Sequence, residues 1–420
     1  MNMLVRTVES QLAGLPVPVA LQLPGGQRCG HANAKLTLTL ADWAGVATLA
    51  AGQIGALAEG YVEGRIEFDG TMRDLMVIAA RLLPGEPMES DTTWWTQLLR
   101  RARSLAAHSL DRDAAQIRFH YDVSDAFFAL WLDPRRVYSC AYYRDVDMTL
   151  AQAQEAKLDH ICRKLKLEPG LRFLDIGAGC GGLLFWAAEH YGVRATGITL
   201  SRNQHAQLER LIDEKGLTGR VRAQLLDYRE LNAANSFDRI ASVGMFEHVG
   251  RANMRGYFRK IHSLLAPGGL VMNHGITAGG VDNDQLGAGM GDFIEKYIFP
   301  GGELLHASRL LQNMAAAGLE MVDTENLRPH YARTLWAWSD ALESRLDEAV
   351  RVLSATSGAA QAAKILRAYR LYLAGSAMSF EQGWISLHQF LATRPSGDVT
   401  EGALAGAQSA YPFQRDYIYR

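Results

Sequence analysis

Asp175-Ile176-Gly177-Ala178-Gly179-Cys180-Gly181-Gly182 is the stretch of this chain whose residue types and spacing most plainly serve chemistry. Glycines at such a turn let the backbone bend tightly and approach a ligand without side-chain collision. The spacing admits two readings. Gly177, Gly179 and Gly182 match the dinucleotide pattern GxGxxG, while Gly177, Gly179 and Gly181 match the GxGxG of methyl-transferring enzymes. Asp175 stands two residues before the first glycine, where a dinucleotide enzyme carries an apolar residue. A second concentration of reactive side chains lies at Gly244-Met245-Phe246-Glu247-His248-Val249-Gly250 and at Asn273-His274-Gly275-Ile276. Cys29, Cys140, Cys162 and Cys180 are scattered and form no CxxC pair. That argues against a zinc site or a disulfide framework and for a reducing, cytoplasmic setting.

The elements that must position these groups follow from periodicity. From about residue 120, strands are predicted over 172–176, 195–199, 223–226, 239–243 and 269–274, with helices over 182–190 and 203–214. Such alternation predicts an α/β fold, a doubly wound, Rossmann-like parallel sheet with helices on both faces. Ligands of these sheets bind beyond the carboxyl ends of the strands. Glu247 and His274 fall at the ends of the fourth and fifth strands, so the reading puts both at one mouth. Thr199-Leu200-Ser201 closes the second strand without a carboxylate for a nicotinamide ribose. Leu226-Asp227-Tyr228 closes the third, where a methyltransferase usually places an acid near the adenine. With the Pro267-Gly268-Gly269 turn before the fifth strand, these features favour S-adenosylmethionine over a nicotinamide as the cofactor.

Residues 1–105 read differently. Period-two stretches at 17–23, 34–40 and 64–70 alternate with helical stretches at 42–49 and 72–83, which gives a small α+β module without a catalytic constellation. An arginine-rich connector spans 90–120, so the domains are expected at 1–105 and 106–420. The chain has 420 residues, 48% hydrophobic and 21% charged, as an ordinary globular protein does. A net charge of −2 argues against a nucleic-acid partner. Arg100, Arg101 and Arg103 form the best local basic patch for an anionic membrane surface, or else a solvated helix face. With no signal pattern and no apolar run of ~18 residues, contact with a membrane is expected to be peripheral.

Tyr138-Ser139-Cys140-Ala141-Tyr142-Tyr143, the two strings around Glu247 and His274, Lys296-Tyr297-Ile298-Phe299-Pro300-Gly301-Gly302, and His120-Tyr121-Asp122 together resemble the cyclopropane fatty acid synthase family, which includes mycolic acid methyltransferases. The resemblance covers about 115–392, and the N-terminal module looks, more loosely, like the family's accessory lipid-binding domain. It implies methyl transfer from S-adenosylmethionine to a cis double bond of a phospholipid acyl chain. Proton loss to a bound bicarbonate then closes a cyclopropane ring. By the same comparison Cys140, Glu247, His274, Ile276 and Tyr331 hold the bicarbonate, with Cys140, Glu247, His274 and Tyr331 at the catalytic centre. Tyr138, Ser139, Gly177, Thr199, Leu200 and Gln204 contact the cofactor, and Asp175, Gly179, Asp227, Tyr228 and Gly244 complete that set. No metal is implied, and the family suggests a homodimer. The chain departs from the family's glycine loop in having Ala178 and Cys180 where cysteine and tryptophan are usual.

Elementary chemistry agrees with this reading. An alkene is a feeble nucleophile, so orientation in a dry pocket is the main task. A held anion takes the proton and stabilises developing positive charge. A glutamate beside an anion repels it unless they share a proton, so Glu247 is expected to accept a hydrogen bond from the bicarbonate hydroxyl. Related readings are a methyl-branched or methylene product, a small-molecule N-methyltransferase, and a catalytically silent lipid-binding protein.

Overall fold

The computed structural model describes residues 2–83, 124–281, 289–299, 302–395 and 415–419. The domain boundary near residue 105, the Arg100–Arg103 patch, His120-Tyr121-Asp122 and most of the tail after Ser396 lie outside them.

The N-terminal module runs α1 (Asn2–Ala13), β1 (Val19–Gln22), β2 (Arg28–Gly30), β3 (Leu36–Leu40), α2 (Trp43–Ala50), α3 (Ile54–Val62), β4 (Ile66–Asp69) and α4 (Met72–Leu82). Its sheet has the order β2-β1-β3-β4. Asp42 caps α2 by accepting from Gly45 N–H at 2.7 Å, and Thr71 caps α4 by accepting from Asp74 N–H at 3.1 Å. The residues of β3 alternate as expected, whereas Val19, Ala20 and Leu21 of β1, an inner strand between β2 and β3, are all buried, and one face of the sheet packs against α1 and α2. Helices α1 and α3 and the short β2 were not among the expected elements.

The larger region continues with α5 (Asp125–Phe128), α6 (Leu150–Lys164), β5 (Arg172–Ile176), α7 (Gly182–Tyr191), β6 (Arg194–Thr199), α8 (Arg202–Glu214), β7 (Val221–Leu225), β8 (Phe237–Val243), α9 (Met254–Leu264) and β9 (Leu265–Ala278). Then come α10 (Met290–Tyr297), β10 (Leu305–His306), α11 (Ala307–Ala316), β11 (Glu320–Asn326), α12 (Arg328–Glu343), α13 (Leu346–Ser357), α14 (Ala359–Glu381), β12 (Ile385–Thr393) and α15 (Asp416–Tyr419). The sheet order is β11-β12-β9-β8-β5-β6-β7, with β10 beside the end of β9.

Strands β5 to β9 pair in parallel, as the alternation predicts. The sheet is nevertheless mixed, because β12 runs antiparallel to both β9 and β11. This also explains why β9 extends well past the expected 269–274. Ile385 to Thr393 pairs with Ala278 back to Leu270, so the strand stays hydrogen-bonded beyond the point where β8 ends. The two regions share apolar packing. Val62, Met72 and Met76 of the module lie in one cluster with Trp338, Leu366 and Tyr369 of α12 and α14.

Candidate active site

The chain reverses its winding direction between β5 and β8, and a cavity of about 300 Å³ opens there at the strands' carboxyl ends. Gly177, Gly179 and Gly181 take φ of 81°, 55° and 85°, in the left-handed region that glycine tolerates. Gly182 instead starts α7. The glycines with special backbone conformation are thus those of GxGxG, which resolves the ambiguity of spacing. A Cβ at Gly181 would also lie 2.4 Å from the Phe185 ring and 2.5 Å from Leu208.

Tyr138, Ser139, Asp175, Gly177, Gly179, Thr199, Leu200, Gln204, Tyr228 and Gly244 all line this cavity, as do Ala178 and Cys180. Thr199 Oγ1 donates to Gln204 Oε1 at 2.8 Å and accepts from Ser201 N–H at 3.1 Å, which fixes the turn into α8. Asp227 is the exception. It is absent from the wall because Arg229 takes its carboxylate, with Nη2 to Oδ2 at 2.7 Å and Nε to Oδ1 at 2.9 Å. The neighbouring Tyr228 supplies the wall instead.

Lys157 was not expected here. It is 2% exposed on α6 and lines the cavity, and its Nζ donates to Ser139 Oγ at 2.9 Å. No carboxylate of the described residues forms an ion pair with it. Burial lowers its pKa to about 8, against the pull of Asp133, Cys140 and Asp175. Burial raises the Asp175 carboxyl to about 7, and Lys157 opposes that rise. The sequence carried a signal: Lys157 shares a helical stripe with Ala153 and Ile161, both fully buried.

A second cavity of about 290 Å³ meets the first at Tyr138, Ser139, Gly244 and His248. Cys140, Glu247, His274, Ile276 and Tyr331 all line it. Glu247, on the turn after β8, accepts from Ile276 N–H through Oε1 at 2.6 Å. Its Oε2 is buried without a hydrogen-bond partner, and burial raises the carboxyl to about 7. Position 275 must be glycine for this approach. A Cβ there would lie 2.6 Å from the Phe246 ring and 2.8 Å from Glu247 Oε1.

His274 Nδ1 contacts Gln389 Nε2 of β12 at 3.2 Å, while its Nε2 is buried and unpartnered. Burial, reinforced by Lys157 and Lys164, holds the imidazole well below its usual pKa, so it is neutral. The Gln389 side-chain amide engages Nδ1 and so leaves Nε2 as the ring nitrogen that can meet a ligand. Cys140 Sγ donates to Ala141 O at 3.2 Å, and burial pushes the thiol far up, so it is no thiolate nucleophile. Tyr331 packs against Phe380, with ring centroids 4.7 Å apart. Gln389 was missed in the sequence because its strand reaches the site from more than a hundred residues away.

A Gly-rich turn after the first strand, an acid at that strand's end and a ligand cavity at the switch point define the chain as an S-adenosylmethionine-dependent methyltransferase. Residues 108–390 match the mycolic acid cyclopropane synthetase model, and the chain belongs to that family. It is 41% identical over 410 residues to a protein of Pseudomonas putida named probable fatty acid methyltransferase, covering 97% of this chain and 98% of the relative. It is 37% identical over 282 residues to the methoxy mycolic acid synthase MmaA3 of Mycobacterium tuberculosis, covering 65% of this chain and 93% of the relative. The crystal structure of mycolic acid cyclopropane synthase CmaA1 complexed with SAH and CTAB superposes with a TM-score of 0.61 at 34% identity. It covers 66% of this chain and 97% of its own.

Proposed function

We propose that this methyltransferase acts on a cis double bond of a phospholipid acyl chain and closes a cyclopropane ring, with bicarbonate as proton acceptor. The observation that carries the reading is the pair of buried, unpartnered atoms, Glu247 Oε2 and His274 Nε2, in an apolar cavity that opens onto the cofactor cavity. Orphaned polar atoms cost free energy on the order of 1–3 kcal/mol each, so a ligand that pairs both is favoured. Bicarbonate fits that donor set. It can accept from a neutral imidazole N–H and donate its hydroxyl proton to a carboxylate.

S-adenosylmethionine, when bound, supplies an electrophilic methyl group. Asp175 and Lys157 would hold the ammonium and carboxylate of its methionyl end, since the two buried charges line one cavity without forming an ion pair. Gly244 and Ser139 line both cavities, so a methyl donor held in one would have its acceptor in the other. The aromatic faces of Tyr331, Phe380, Tyr372 and Phe299 line the acceptor cavity and stabilise positive charge on a reacting alkene. Their apolar surroundings exclude the water that would trap it.

A methyl-branched or methylene product is the second reading, favoured by the name of the Pseudomonas relative. It would use the same residues and differ in the fate of the cation: a 1,2-hydride shift followed by loss of a methyl proton gives a methylene group, and a saturated methyl branch needs a separate hydride donor. Work at a membrane surface would be peripheral, since no helix of the described residues is long and apolar enough to cross a membrane. Mass spectrometry of acyl chains after incubation with S-adenosylmethionine and cis-unsaturated phospholipid vesicles tests the proposal. A ring-containing product one CH₂ heavier is expected; a branched or methylene product selects the second reading. Absence of any lipid product, with cofactor bound, overturns both.

A further inference from the structure

The acceptor cavity does not stop at the methyltransferase sheet. From Glu247 and His274 it continues into the N-terminal module, where its wall includes Leu40, Leu49, Leu57, Ile66, Leu75 and Ile78. Leu40, Leu49 and Ile78 are at most 2% exposed and belong to the module's own core. Among the described residues, the module contributes no charged side chain to this wall. Its one hydroxyl there, Tyr61, accepts from Arg370 Nη1 at 2.6 Å.

We propose that the N-terminal module encloses the methyl end of the acyl chain and thereby limits how much chain can extend beyond the reacting double bond. This rests on the lipid reading above and adds a specificity site to it. A head group needs several charged or polar partners when it leaves water, and the described part of this wall offers a single hydroxyl already held by Arg370, so the hydrocarbon terminus is the end that fits. The relatives point the same way. The fatty acid methyltransferase relative aligns over 97% of this chain and so spans the module. The mycolic acid cyclopropane synthase spends 97% of its length on 66% of this chain, and the family model starts only at residue 108. Such chains have no length left for a counterpart of the module and lack this wall.

Three acyl chains separate the two ends. Palmitoleoyl and cis-vaccenoyl chains are equally long beyond the double bond, whereas an oleoyl chain is two carbons longer there. The full-length protein is given S-adenosylmethionine and phosphatidylglycerol vesicles carrying all three, and products are quantified by gas chromatography with mass spectrometry, which separates the two C18 positional isomers that mass alone does not. Ala79→Leu, which fills the module's part of the cavity, is expected to lower oleoyl against cis-vaccenoyl conversion by about tenfold. The palmitoleoyl to cis-vaccenoyl ratio should hold. Leu75→Ala, which enlarges the same space, should raise the oleoyl share, and it decides the matter alone if Ala79→Leu does not fold. Cofactor affinity should not move in either. Unchanged ratios in both variants, or a shift in palmitoleoyl against cis-vaccenoyl, would overturn the inference while leaving the lipid reading intact. Wild-type protein that modifies none of the three chains overturns the lipid reading itself.

Discussion

Glu247 reaches across from the end of β8 to the backbone of Ile276 on β9, with Oε1 accepting from the amide at 2.6 Å. One oxygen is thereby fixed, and the other, Oε2, is buried without a hydrogen-bond partner on a residue that lines the cavity. The glutamate is both tethered and available, which is what a group that shares a proton with a ligand requires.

Glu247→Gln keeps the tether to Ile276 but cannot take a proton at the second atom. Turnover should fall by about a hundredfold, within the range general base removal produces. S-adenosylhomocysteine affinity by calorimetry should stay within about twofold. Normal turnover in this variant would mean that the anion site is misplaced.

Burial raises the Glu247 carboxyl from an ordinary 4.5 to about 7. Between those values the unfolded chain has released the proton and the folded chain keeps it. Stability therefore falls as pH rises through that window and levels off above it. Glu247→Gln removes this contribution, so the variant should gain stability relative to wild type, on the order of a few kcal/mol, between about pH 5 and about pH 8. Urea unfolding at both ends of the window measures it. Asp175, also raised to about 7, adds a similar slope to both proteins and cancels in the difference.

Lys157→Met should weaken S-adenosylmethionine binding by about tenfold or more. The decarboxylated analogue, which lacks the group Lys157 is assigned to hold, should bind wild type and variant alike. If the variant loses equal affinity for both ligands, Lys157 acts by holding Ser139 and not by pairing with the carboxylate.

Gly181→Ala forces a Cβ into the Phe185 ring and Leu208 at a left-handed φ of 85°. A cost of about 1–3 kcal/mol in stability is expected, with loss of cofactor binding. Calorimetric melting with and without S-adenosylhomocysteine checks both, and Gly179→Ala, where a Cβ meets nothing within 4 Å, gives the strain without the collision.

Local patterns carried the parts of this molecule that the sequence made legible. The glycine turn, β5 to β8 and the position of Glu247 just past β8 follow from short periodic stretches and turn residues; His274 was expected at the end of its strand but lies inside β9, beside Val243, the last residue of β8. What the sequence hid is non-local. β12 pairs with β9 from more than a hundred residues away, and only that pairing lengthens β9 and brings Gln389 to His274. Asp227 was expected at the cofactor by its position, but Arg229 two residues on claims its carboxylate. The alternation of the N-terminal strands showed a sheet with a buried face. It could not show that the interior of that module opens onto the catalytic cavity.

The shared apolar cluster has a bearing on how the protein comes apart. Val62, Met72 and Met76 bury against helices of the other region, and Gly55 and Gly289 approach so closely that a Cβ at Gly55 would lie 2.5 Å from Gly289 O. Separating the two regions would expose the apolar faces that meet in this shared cluster. Heating should therefore give one cooperative transition, and severing the chain between the two regions should leave each half with an exposed apolar face and a lower melting temperature than the intact protein.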